Sequence, residues 1–137
     1  MSNFSAIEKE IIEDFELFDD PMDKYEHIID QGKELEVLEE KYKIDENLVK
    51  GCQSKVWLVA AKEGDIVFFK ADSNTVITKG VVSILIKVLS GKKPQEIIDY
   101  KLDILEKIGL KEMLSSQRAN GLQSMINLMK QYAHKFQ

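Results

Sequence analysis

The chain holds one cysteine, Cys52, and it is the only strong nucleophile in the sequence. It stands in the stretch Lys50-Gly51-Cys52-Gln53-Ser54-Lys55. Glycine takes backbone angles closed to other residues, and Gln and Ser side chains bond nearby backbone groups, so the stretch reads as a loop tip entering a strand. A loop presents a thiol to a partner, whereas a thiol inside an apolar helix only packs. Lys50 and Lys55 flank it and would favour the thiolate, the form that attacks sulfur. The competing reading is a small hydrophobe tucked under a loop, because free cysteine is among the most buried residue types. Both readings stay open at this point.

The usual partners of a catalytic thiol are scarce. His27 falls on a predicted helix and His134 near the C-terminus, neither at a spacing that pairs it with Cys52, and both read as surface residues. A single thiol excludes an internal disulfide and every zinc or iron–sulfur site that needs several thiolates from one chain, so no metal is expected. Asp19-Asp20 and Glu39-Glu40 read as a helix cap and a solvated face, and no glycine-rich phosphate loop is present. Hydrolase and nucleotide-binding chemistries therefore lack their residues.

The elements around the thiol follow from periodicity. Ser5 to Phe18 places Ile7, Ile11, Ile12, Phe15 and Phe18 on one helical stripe, with Ser5 and Glu8 as a capping box. Pro21 after Asp20 predicts a second helix ending near Gly32, and residues 33–50 read as mostly loop. Lys55 to Ala61 and Ile66 to Lys70, joined by a turn at 62–65, form an antiparallel hairpin. Asp72 and Asn74 offer caps for a nearly all-apolar helix over 75–89, which should be central; its β-branched portion also suits a strand, and the caps and length favour helix. Short helices at 94–98 and 104–108, the second stopped by Gly109, precede a last helix from Ser115 or Ser116. Strands and helices segregate, which predicts an α+β fold with a small antiparallel sheet packed against helices. On this pattern Trp57 reads as core, and Gly121, costly inside a helix, marks close packing, potentially under the cysteine loop.

Composition bounds what such a fold can do. With 137 residues, 44% hydrophobic and 31% charged, the chain reads as one globular domain over 1–137. Nineteen Lys and Arg against 24 Asp and Glu give a net charge of −5, which disfavours nucleic acid as the main partner. Apolar stretches such as Val81 to Ile86 fall far short of the roughly 20 residues a bilayer requires. The N-terminus is acidic, unlike a signal peptide, so the expectation is a soluble cytoplasmic protein with no membrane partner.

Three motifs then stand in register. Gly51-Cys52-Gln53-Ser54-Lys55-Val56-Trp57 closely resembles the cysteine motif of the SufE family: glycine, cysteine, glutamine or threonine, serine, any residue, valine, tryptophan. Asp72-Ser73 with Ile77, Lys79 and Gly80 matches next. Ser116-Gln117-Arg118-Ala119-Asn120-Gly121-Leu122 with Met125 matches last, so the resemblance covers nearly the whole chain.

The resemblance implies a sulfur acceptor and activator for a pyridoxal-phosphate cysteine desulfurase of the SufS type. Cys52 matches the cysteine that carries the persulfide, on its way to a SufBCD-like iron–sulfur scaffold complex. The family fold, shared with IscU-type scaffolds, is the small sheet flanked by helices expected above. Pyridoxal phosphate would sit on the partner, and none is expected on this chain. Gly51, Gln53, Ser54, Asp72, Lys79, Arg118 and Asn120 fall on motif positions and are expected to support the cysteine loop or bind the partner. In particular, Asp72 and Arg118 are expected beside the loop, and Cys52 is expected to rest against apolar neighbours and swing out on docking. The alternative is a non-catalytic interaction module with a structural cysteine. A stand-alone thiol enzyme is a third reading.

Overall fold

The computed structural model describes residues 4–137. Helix α1 spans Phe4–Glu16 and α2 spans Pro21–Lys33. Strands β1, Val56–Glu63, and β2, Ile66–Ser73, pair as a two-stranded antiparallel sheet. Helix α3, Val76–Leu89, follows, then α4, Pro94–Asp99, α5, Asp103–Lys107, α6, Leu110–Met113, and α7, Ser116–Lys135. The architecture is the expected α+β arrangement of a small sheet against helices.

The hairpin is longer than its β-branched runs suggested. Register runs from Val56 opposite Ser73 to Glu63 opposite Ile66, so Lys62 and Glu63 belong to β1 and only Gly64-Asp65 turns. Gly64 takes φ +62, the left-handed conformation that a two-residue hairpin turn requires. Strand side chains alternate faces, and here Val56, Leu58, Val67, Phe69 and Ala71 are buried against the helices. That alternation puts Trp57 on the other face. It is half-buried there, outside the core, with the Lys43 ammonium 5.9 Å from its ring.

Helix α3 is the centre of the molecule, burying Ile77, Val81, Val82, Ile84, Leu85, Val88 and Leu89. Its start differs from expectation, because neither Asp72 nor Asn74 caps it. Thr75 occupies the cap position without a side-chain bond, while Asn74 bonds the cysteine loop instead. Helix α2 crosses α3 where both are bare: a Cβ on Gly80 would lie 2.0 Å from the Ile28 carbonyl oxygen, and one on Gly32 2.8 Å from the Gly80 nitrogen. α2 ends at Lys33, near Gly32 as expected, and Gly32 itself serves the packing against α3. The start of α2 is as predicted, with the Asp20 carboxylate accepting from the Met22 amide at 2.8 Å.

Other differences are local. Phe4 is already helical, so Ser5 lies within α1 and does not cap it. His27 is half-buried, wedged against Phe15 and Phe18 with centroid distances of 4.8 and 5.1 Å, whereas His134 is exposed. Residues 34–55 are largely irregular, with 3-10 turns at Glu40–Tyr42 and Asp45–Asn47 and buried anchors at Leu38 and Val49. Gly109, at φ +69, ends one helical turn and opens another, α6, which periodicity missed because it is four residues long. Among the described residues no helix is long and apolar enough to cross a membrane.

Candidate thiol site

Cys52 sits on a six-residue loop, 50–55, closed at its neck by the Val49 amide donating to the Val56 carbonyl at 2.8 Å. The two halves of this loop are held very differently. On the C-terminal side, the Lys55 amide donates to Asn74 Oδ1 at 3.1 Å, and the Ser73 hydroxyl and Asn74 amide both donate to the Lys55 carbonyl, at 2.8 and 3.2 Å. Ser54 Oγ accepts from Thr75 Oγ1 at 3.0 Å and from Arg118 Nη1 at 3.3 Å. The same guanidinium donates to Thr78 Oγ1 at 2.8 Å. Arg118 thus ties α7, α3 and the loop together through hydroxyls.

The N-terminal side has little to hold it. Gly51 takes φ +89, and a Cβ there would fall 2.7 Å from Ser124 Oγ, so both conformation and space call for glycine. The Cys52 thiol, a weak donor, makes one hydrogen bond, to the Gly121 carbonyl at 3.5 Å. Gly121 lies under the thiol: a Cβ added to it would stand 3.2 Å from Sγ. Such asymmetry makes Gly51-Cys52 the half that can move while Ser54-Lys55 stays anchored.

The thiol is half-buried between two spaces. Inward lies a small cleft lined by Ser54, Thr78, Val81, Arg118, Gly121 and Met125, with about 10 Å³ of free volume, close to what one water-sized sphere occupies. Outward lies an open groove of about 310 Å³ formed with Gly51, Gln53, Gln117 and Asn120. Burial pushes the Cys52 thiol above its ordinary pKa. Lys50 and Lys55, both exposed, do not offset it, so the expectation that they favour the thiolate at rest is corrected: desolvation dominates.

Asp72 departs from expectation as well. Its carboxylate does not bond the cysteine loop. Paired in register with Trp57, it projects to the outer face, where it accepts from Lys43 Nζ at 2.8 Å and the Ser73 amide at 2.8 Å and stands 3.5 Å from Lys79 Nζ. Burial alone would raise its pKa, but these donors outweigh it and hold the carboxyl below its ordinary value. The ladder's alternation assigns loop support to Ser73 instead.

Sequence reasoning placed Cys52, Gly51, Gln53, Ser54, Arg118 and Asn120 around one site, and the structure brings these six together. It leaves Asp72 and Lys79 in an ion cluster of their own. Thr75 and Thr78 were missed. The signal for Thr78 was its place on one helical stripe with Val81, Val82 and Leu85, since a hydroxyl buried there needs a partner. Among the described residues no group of three His, Cys, Asp or Glu side chains comes together as a metal site.

Comparison with known proteins finds a family and a fold. The sequence model of the SufE family, described as an Fe-S metabolism associated domain, matches residues 9–133. An uncharacterized SufE-like protein of Rhizobium meliloti is 45% identical over 130 residues, covering 90% of this chain and 92% of that protein. SufE-like protein 1 of Arabidopsis thaliana, chloroplastic/mitochondrial, is 40% identical over 126 residues, 91% of this chain and 34% of its own length. The solution structure of a hypothetical protein from Thermus thermophilus superposes with a TM-score of 0.77 at 17% identity, covering 95% of both chains.

Proposed function

This chain belongs to the SufE family, associated with Fe–S metabolism, and from that premise we propose that it relays sulfur through Cys52 from a SufS-type cysteine desulfurase. The observation that carries the reading is mechanical. The only thiol in the chain rides the loosely held half of a loop whose other half is pinned, with an atom-sized cleft on one side and an open groove on the other.

The exchange needs no acid–base pair on this chain. The Cys52 thiolate attacks the terminal sulfur of the desulfurase persulfide. A sulfur–sulfur bond forms at Cys52 as the donor's breaks, and the donor cysteine leaves as thiolate. No electrons are lost or gained overall, since zero-valent sulfur moves between two cysteines. The pyridoxal phosphate that first extracts the sulfur belongs to the partner. A SufBCD-like scaffold complex in the cytoplasm is the recipient we propose.

The resting geometry suits a carrier. A thiol with a raised pKa is a poor nucleophile when idle, which protects it from small electrophiles and oxidants. Docking that breaks the single bond to Gly121 and exposes Sγ to the outer groove removes the desolvation that raised it. Reactivity then depends on the partner.

Sulfide release by a SufS-type desulfurase, followed with cysteine and a reductant, tests the role. Added protein should raise turnover several-fold, and the Cys52→Ser variant should not. Equal stimulation by that variant would make the cysteine structural and the chain an interaction module.

A further inference from the structure

The charges of this protein are segregated along the chain in a way that net charge conceals. Three stretches, 48–62, 74–95 and 113–137, contain none of the twenty-four Asp and Glu yet hold ten of the nineteen Lys and Arg. The remaining residues carry all the acids, sixteen of them before Leu48. Those three stretches hold the cysteine loop, α3 and α7. Every residue lining the cleft behind the thiol comes from them.

The cations at the mouth of the site are also uncommitted. Seven lysines elsewhere stand within 4.0 Å of a carboxylate. Lys50 and Lys55, exposed on either side of Cys52, are in no such pair among the described residues, and Arg118 spends its guanidinium on hydroxyls. Asp72 is already neutralised by Lys43 and Lys79, and Glu46 lines a neighbouring groove with Lys50 without bonding it. The thiol therefore opens on a locally positive face of a negative protein.

We infer that this face docks an acidic protein surface surrounding the desulfurase's persulfide cysteine, with Lys50 and Lys55 as its specificity-determining rim. The inference rests on the sulfur-relay reading and adds to it the chemistry of the partner. Charge complementarity carries the assignment. A protein of net charge −5 is held off a negative surface at long range, and its approach to one is productive only where it presents a positive patch. The acid-rich half of the chain turns away wrong orientations. A phosphate backbone is a poorer occupant, because three cations on a molecule of charge −5 release few counterions.

Binding read without sulfur transfer tests this. The Cys52→Ser protein is titrated calorimetrically into a SufS-type desulfurase at low and moderate salt. Affinity should fall on the order of tenfold as salt rises from about 50 to 300 mM. Lys50→Glu and Lys55→Glu should each weaken low-salt binding several-fold and flatten the salt dependence. Lys62→Glu, an equal charge change at the far end of β1, should leave affinity within about twofold. Salt-blind binding, no binding at low salt, or an equal loss from Lys62→Glu overturns the docking assignment. Tighter binding to a single-stranded RNA than to the desulfurase, or self-association at low salt that buries the Lys50 and Lys55 face, overturns it too. Persulfide acceptance by the Lys50→Glu protein at saturating concentration reads the relay separately. Its retention beside weakened binding supports both ideas, and acceptance with charge-blind binding sinks only this one.

Discussion

At the scale of single residues, the central contact is Cys52 Sγ against the Gly121 carbonyl. A hydrogen bond from a thiol is weak because S–H is a poor donor, and this is the only one the described residues offer that side chain. Glycine inside α7 costs about 1 kcal/mol relative to alanine, so its presence under the thiol is a concession of helix stability to space. Gly121→Ala should keep the fold, within about 1 kcal/mol of the parent in denaturant unfolding, because the mobile loop can yield to a Cβ at 3.2 Å. The same variant should push the thiol outward. Its alkylation by iodoacetamide at pH 8 should accelerate several-fold, and the pH midpoint of alkylation should shift down from its raised value toward that of an ordinary thiol. An unchanged rate would mean that Gly121 does not shelter Cys52. Gly121 was legible as a close approach because glycine in a helix needs a reason. That Arg118 bonds hydroxyls rather than a carboxylate was not legible, since Ser54 and Thr78 meet it across 64 and 40 residues of sequence.

At the scale of elements, the hairpin and α3 were readable from composition, turn residues and length. Runs of β-branched and aromatic residues on either side of a turn cluster marked β1 and β2, and a longer apolar run at helical spacing marked α3. Trp57 lies in an unbroken apolar run, 56–61, that does not reveal which face is buried, and Asp72 lies beyond the predicted end of the second strand, so its place in the ladder was not legible. Their outer face carries the Lys43–Asp72–Lys79 cluster, which fastens the irregular 34–55 segment to β2 and α3. Asp72 has a depressed pKa in the folded protein, so its stabilising contribution is present above its ordinary value of 3.8 and is lost as pH falls through the folded value. Asp72→Asn should therefore be less stable than the parent at pH 7, with the two stability curves converging once pH falls through the depressed value, below 3.8. Parallel curves across that range would show that the cluster contributes nothing. The partly buried His27 illustrates the limit of local reading, because Phe15 and Phe18 reach it from the preceding helix and its end.

At the scale of the whole molecule, α2 and α7 brace α3 from different sides, and the thiol loop lies where α3 and α7 meet. The fold class and the cysteine's position at a loop-to-strand junction were written in the chain, because turn chemistry and periodicity are local. The Gly32–Gly80 crossing, the short α6 and the loop's uneven anchoring were not, because each depends on which elements meet. The proposed function is the transfer of one atom between two proteins, so a change in mass is its most direct signature. The protein is incubated with a SufS-type desulfurase, pyridoxal phosphate and cysteine, then weighed intact. The account predicts a gain of one sulfur atom that a thiol reductant reverses and that Cys52→Ser abolishes. No gain on the parent protein, or an equal gain on the variant, would contradict it.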